Sequence, residues 1–264
     1  MDVLALFLSR LVPLLLLFSA CLLLGRFAFD HLRGRSELVA RSIFAGCILL
    51  GPALAIPYVA RLGYRLAAER AYSNRRWEDA DRLYQRYREL HGRETEVIRF
   101  HWGVSLMNLR QWPAAEEVLL GTARPDPAPG EIPRPLRTSV GICLYYEGRS
   151  DRAEKVLEAA ADPGQIYLSA YFLGRLAERR GDFGQAIEWY EAGLGRSPHF
   201  YPAVYQTVRL RLLRHESVEA RKVLTRFLAG PDSAGQEPLA RSLVEAAAGR
   251  GPIPAEREFL LVQH

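Results

Sequence analysis

The stretch GDFGQAIEWYEAGLGRSP, residues 181–198, opens on a turn glycine and is followed by Phe183, Ala186, Tyr190 and Pro198, with Leu173–Gly174 just upstream. Its small residue, Ala186, has counterparts at Ala80, Ala115, Ala153 and Ala220, at successive spacings of 35, 38, 33 and 34 residues. Twelve positions before each stand Ala68, Gly103, Gly141, Gly174 and Val208. Three before stand Trp77, Trp112, Ser150, Phe183 and Ser217; four after stand Tyr84, Leu119, Leu157, Tyr190 and Leu224. Registered recurrence over such a period marks an array of supersecondary units rather than one closed core.

The demands at these positions are mechanical. A small residue on each side lets the first helix of a unit (helix A) approach the second (helix B). The bulky residue at the +4 place is expected to fill the space between successive hairpins, since one hairpin alone cannot bury its apolar face. The pattern resembles the tetratricopeptide repeat, a 34-residue helix–turn–helix unit. That resemblance implies an all-α solenoid of about five repeats. Val208, Ser150 and Ser217 depart from the consensus, which makes the first and fifth repeats the least regular, as terminal repeats usually are.

The 38-residue spacing marks an insertion, TARPDPAPGEIPRP at 122–135, whose prolines exclude a helix and predict a protruding loop between repeats two and three. Beyond the fifth repeat, Leu239, Leu243 and Ala247 recur four apart, predicting a capping helix that stops at Gly249. The tail, 250–264, holds Phe259, Leu260, Leu261 and Val262; it either docks on the cap or binds a partner.

Upstream of the repeats the composition changes. Residues 3–24 are apolar save Arg10, and residues 42–60 carry no charge. Each run is about the ~20 residues that cross a ~30 Å hydrocarbon core, and Pro52 and Pro57 are tolerated in membrane helices. Met1–Asp2 lacks the basic start of a cleaved signal peptide. The expected domain plan is a transmembrane helical hairpin over 1–63, the solenoid over 64–231, and the cap and tail over 232–264. Arg26, Arg33, Arg35 and Arg41 in the connecting loop favour a cytoplasmic loop and an extracytoplasmic repeat domain. Arg61, Arg65, Arg70, Arg75 and Arg76 pull the other way. With only Lys155 and Lys222 against this many arginines, the usage suggests GC-rich coding and a bacterial inner membrane.

The formal charge of +5 divides into +3 over residues 1–63 and +2 over the rest, too balanced for a nucleic-acid partner. Cys21, Cys47 and Cys143 form no disulfide or metal spacing. No HExxH, GxSxG or P-loop is present, so neither catalysis nor a cofactor or metal is expected. His91 and His101 stand ten apart and read as surface or interface residues. Arg180–Gly181–Asp182 spells an adhesion tripeptide, but it falls on the tight turn of the fourth hairpin, which explains the glycine.

The resemblance implies that residues three before and one after the small helix-A residue face a concave groove. These are Arg65 and Glu69, Phe100 and Val104, Thr138 and Ile142, Tyr171 and Arg175, and Tyr205 and Arg209, with Asn108 and Tyr146 nearby. The candidate partner-binding residues are therefore Arg65, Phe100, Asn108, Tyr146, Tyr171, Arg175, Tyr205 and Arg209. The two Tyr–Arg pairs of repeats four and five are types enriched at binding hot spots, and their guanidiniums suit a peptide carboxylate. The expectation is a membrane-anchored scaffold for a protein or peptide, in envelope or membrane-complex assembly. A structural subunit that uses the hairpin as its interface, with Gly46, Gly51 and Ala53 allowing close packing, is the alternative.

Overall fold

The computed structural model describes Arg26, residues 56–121, 127–160, 166–230 and 237–255, and Phe259. The expected membrane helix 3–24 and most of 42–60 lie outside these residues; 56–60 are helical. No helix among the described residues is long and apolar enough to cross a membrane.

The described elements are all helical. They are α1 (56–73), α2 (Trp77–Glu89), α3 (Glu96–Asn108), α4 (Trp112–Leu120), a 3-10 turn at Arg134–Leu136, α5 (Arg137–Tyr146), α6 (Ser150–Glu158), α7 (Ile166–Arg179), α8 (Phe183–Leu194), α9 (Tyr201–Leu213), α10 (Ser217–Leu228) and α11 (Glu237–Ala247). Each helix B of the five pairs starts at the residue three before its small alanine: Trp77, Trp112, Ser150, Phe183 or Ser217. Two compact units result, one holding residues up to Arg70 with Arg82–Arg93, the other Ala71–Asp81 with Glu94–His264.

The five A–B turns share one backbone solution. Five residues before each small alanine stand Arg75, Arg110, Gly148, Gly181 and His215, all at φ between 56° and 81°. At each, paired hydrogen bonds close the end of helix A: Arg110 N–H donates to Met107 O at 3.0 Å and Gln111 N–H to Leu106 O at 2.9 Å. The same pair recurs at Gly181 and Asp182, which bond Glu178 O and Ala177 O, and at His215 and Glu216, which bond Leu212 O and Arg211 O. These satisfy carbonyls that a helix end leaves orphaned. Only two of the five positions are glycine, so the turn is imposed by the packing of the helices it joins.

Close A–B approach is visible in the middle three hairpins. A Cβ at Gly103 would fall 2.6 Å from Leu119, one at Gly141 2.6 Å from Leu157, and one at Gly174 2.4 Å from the Tyr190 ring. The +4 residue therefore lies against the small residue of its own hairpin, rather than between successive hairpins as expected. Ala115, Ala153 and Ala186 are fully buried in the same layer. The core runs along it: Ile98, Met107, Leu119, Ile142, Leu144, Leu157, Leu173, Tyr190, Val208 and Phe227 are all buried.

The described part of the insertion is exposed at Ala128, Gly130, Glu131, Arg134 and Pro135 but anchored at Pro127 and Ile132. Ile132 and Leu136 are buried, and Arg137 ties the segment down, Nε to Ile132 O at 2.9 Å and Nη1 to Ala159 O at 2.9 Å. Prolines exclude a helix from 127–133, yet apolar residues among them still seek cover. Helix α11 caps the array with Ala240, Leu243, Ala246 and Ala247 buried, and Gly249 ends it at φ 74°.

Candidate functional site

Aromatic rings run along helices A of repeats three to five. Tyr146, at the end of α5, stacks on Trp112 of α4 at 4.2 Å and 14° between planes. Phe172 of α7 meets the Tyr145 and Tyr146 rings edge-on at 5.0 and 5.9 Å. Tyr171 meets Phe200 at 5.7 Å, and Tyr201 meets Tyr205 on α9 at 6.0 Å. Rings at these separations and tilts attract through their quadrupoles as well as by burial.

The C-terminal tail returns to this face. Beyond Gly249, residues 251–255 adopt no regular structure, and the Tyr205 hydroxyl donates to the Ala255 carbonyl at 2.8 Å. The Tyr146 hydroxyl donates to the Phe259 carbonyl at 3.4 Å. The Phe259 ring meets Tyr201 edge-on at 5.8 Å and Tyr205 at 5.5 Å. Among the described tail residues, Ala255 and Phe259 thus meet helices A of repeats three and five, while Arg250 stays bonded to Glu245 of the cap helix.

Helices α7, α8 and α9 share a buried polar cluster. Arg175 and Glu178 of α7, Arg209 and Gln206 of α9, and Tyr190 of α8 are all buried. The Tyr190 hydroxyl donates to Glu178 Oε2 at 2.9 Å, Arg175 Nη1 to the same oxygen at 3.3 Å, and the Arg209 guanidinium contacts Oε1. Arg209 Nε donates to Gln206 Oε1 at 3.0 Å. Burial opposes the charge on Arg175, yet the Tyr145, Tyr190 and Tyr171 hydroxyls outweigh it and raise its pKa further. Burial raises the Tyr171 and Tyr190 phenols well above their ordinary value, so both stay neutral.

Against this geometry the expected groove residues separate. Tyr146 and Tyr205 touch the tail. Arg175 and Arg209, expected to offer open forks to a peptide carboxylate, are 3% and 6% exposed and take a carboxylate of the same chain, Glu178. Tyr171 is 1% exposed and packs in the core. Val104, Thr138 and Ile142 are likewise buried, and Thr138 shares a 3.0 Å hydrogen bond with Ser169 of α7. Phe100 is half-buried beside His101, and the half-buried Asn108 donates to Val104 O of its own helix at 2.9 Å. Arg65, half-buried, belongs to the other compact unit. Sequence reasoning missed Glu178 and Tyr201. Glu178 was readable as the i+3 neighbour of Arg175, and Tyr201 as one turn before Tyr205.

The family model for the tetratricopeptide repeat matches residues 169–198. These residues hold most of α7, the turn at Gly181 and α8, the hairpin in which a Cβ at the small helix-A glycine would come nearest helix B. Residues 169–198 form a tetratricopeptide repeat. The crystal structure of MamA protein is similar at 17% identity and a TM-score of 0.51, over 67% of this chain and 94% of that one. A second structure, MamA MSR-1 C2, is similar at 16% identity and a TM-score of 0.47, over 63% of this chain and 94% of that one. At such identity the likeness concerns the fold. No curated protein matches the chain.

Proposed function

We propose that this tetratricopeptide-repeat protein is a non-catalytic scaffold whose helix-A face binds a protein partner through an extended segment. One observation carries the reading: that face already holds a stretch of irregular, proline-containing chain, gripped at its carbonyls by tyrosine hydroxyls and at a phenylalanine by tyrosine rings. Rigid aromatic anchors on packed helices suit this task because little side-chain entropy is lost on binding. The apolar runs 3–24 and 42–60 support a membrane tether, with the repeats outside the cytoplasm of a bacterial cell and a role in assembling envelope or membrane complexes.

A photo-crosslinking side chain at Phe100 or Asn108, in the full chain in cells, tests the binding face against one at Glu188, which is exposed on α8. Capture of a discrete partner from α3 but not from Glu188 is expected; equal capture from both, or none from α3, refutes the reading. A C-terminal reporter active only outside the cytoplasm decides the topology.

A further inference from the structure

We propose that repeats three to five form a receptor for extended segments bearing an aromatic side chain, and that the C-terminal tail is its built-in placeholder, displaced when a partner segment binds. The inference rests on the scaffold reading and names the chemistry of the partner.

Both tyrosine hydroxyls that touch the tail donate to main-chain carbonyls, those of Ala255 and Phe259. Any extended peptide presents such carbonyls, so these bonds fix register without reading side chains. The reading is left to one ring contact, where Tyr201 and Tyr205 meet Phe259 at 90° and 73° between planes, so that an aromatic ring packs edge-on. Pro252 and Pro254 fix φ and lack N–H groups, so residues 252–255 are preorganised away from helix with few donors to satisfy. It also lies shallow: Ile253 is 41% exposed, Ala255 is exposed and Phe259 is only half-buried. Core segments of this protein are not held so lightly. A tether that starts at the end of α11, where Gly249 stands ten residues before Phe259, keeps the tail at millimolar effective concentration. That is enough to fill a receptor of modest affinity and still yield to a better ligand.

The test uses the full chain in detergent and a fluorescent synthetic peptide with the sequence of residues 250–264. Phe259→Ala in the full chain is expected to raise affinity for the peptide about tenfold or more, because the competent fraction of the receptor rises. A peptide with the same Phe→Ala change should lose binding. Tyr205→Phe in the Phe259→Ala chain should weaken the peptide two- to tenfold, the scale of one lost hydrogen bond. No gain in the Phe259→Ala chain overturns the proposal. So does a wild-type dimer that Phe259→Ala dissolves, since the tail would then serve a second copy. If the peptide shows no gain while α3 crosslinks still capture a partner, the placeholder falls and the scaffold stands.

Discussion

The Arg209 guanidinium on α9 meets the Glu178 carboxylate on α7 inside the protein, tying helix A of repeat five to helix A of repeat four. Arg175 and Tyr190 converge on the same carboxylate, so one acid neutralises part of a cluster holding two arginines. Glu178→Gln removes that charge while keeping the shape. Breaking a buried ion pair from one side strands the partner and costs about 3–5 kcal/mol. For a chain of this size the melting temperature should fall by roughly 6–20 °C. Thermal unfolding followed by circular dichroism checks it; a fall under about 2 °C would mean the cluster is solvated and carries little.

Three glycines of the fourth hairpin separate three mechanisms. At Gly174 an added Cβ would meet Tyr190 at 2.4 Å, so Gly174→Ala should destabilise by about 1–3 kcal/mol despite alanine's better helix propensity. At Gly181 nothing lies within 4 Å, but φ is 81°, so Gly181→Ala costs about 1 kcal/mol through the backbone alone. At Gly184 the nearest atoms are 3.6 Å away and φ is helical, so Gly184→Ala is neutral or stabilising by up to about 1 kcal/mol. Denaturant melts that rank the three otherwise would break the link between A–B distance and register.

That link is why the array was readable from sequence. A small residue facing a bulky one is a constraint between two positions of one hairpin, so Gly174 and Tyr190 leave a mark at fixed spacing. The turn conformation left a weaker mark, because helix packing imposes positive φ on Arg75, Arg110 and His215 as well as on glycines. The binding face was the least legible part. The family's register rule places Arg175 and Tyr171 on an open surface, but their exposure depends on neighbouring hairpins, and Tyr205 is covered by a tail outside the repeat period. Of eight expected groove residues, Tyr146 and Tyr205 hydrogen-bond the tail at Phe259 and Ala255.

Asp182 of the adhesion-like tripeptide has a structural task. Its Oδ1 accepts from Gln185 N–H at 3.0 Å, capping α8, while Arg180 pairs with Glu154 at 2.7 Å. Asp182→Ala should cost about 0.5–2 kcal/mol, the usual range for a lost N-cap, whereas Asp182→Asn should recover most of it. A melting curve in which Asn behaves like Ala would show that charge, not capping, is the contribution.

Stability should depend on pH through Glu116 on α4, whose carboxylate lies 2.6 Å from Arg149 and 3.4 Å from Arg152. Burial raises its pKa, the neighbouring Glu147 adds to that, and the two arginines pull it down by less. Arg149 is itself held more firmly charged despite burial, since it faces Glu147 at 3.2 Å as well as Glu116. The folded protein therefore prefers Glu116 protonated more than the unfolded chain does. Its contribution to stability is complete below the ordinary carboxyl value near 4.5 and is lost as pH rises through the raised folded value. Glu116→Gln, which cannot ionise, escapes that loss. Urea melts of both proteins from about pH 4 to pH 7 should show the variant gaining on the wild type as pH increases. A gap that narrows or reverses over the same range would mean that the arginines win over burial, and that Glu116 works as an ordinary ion-pair partner.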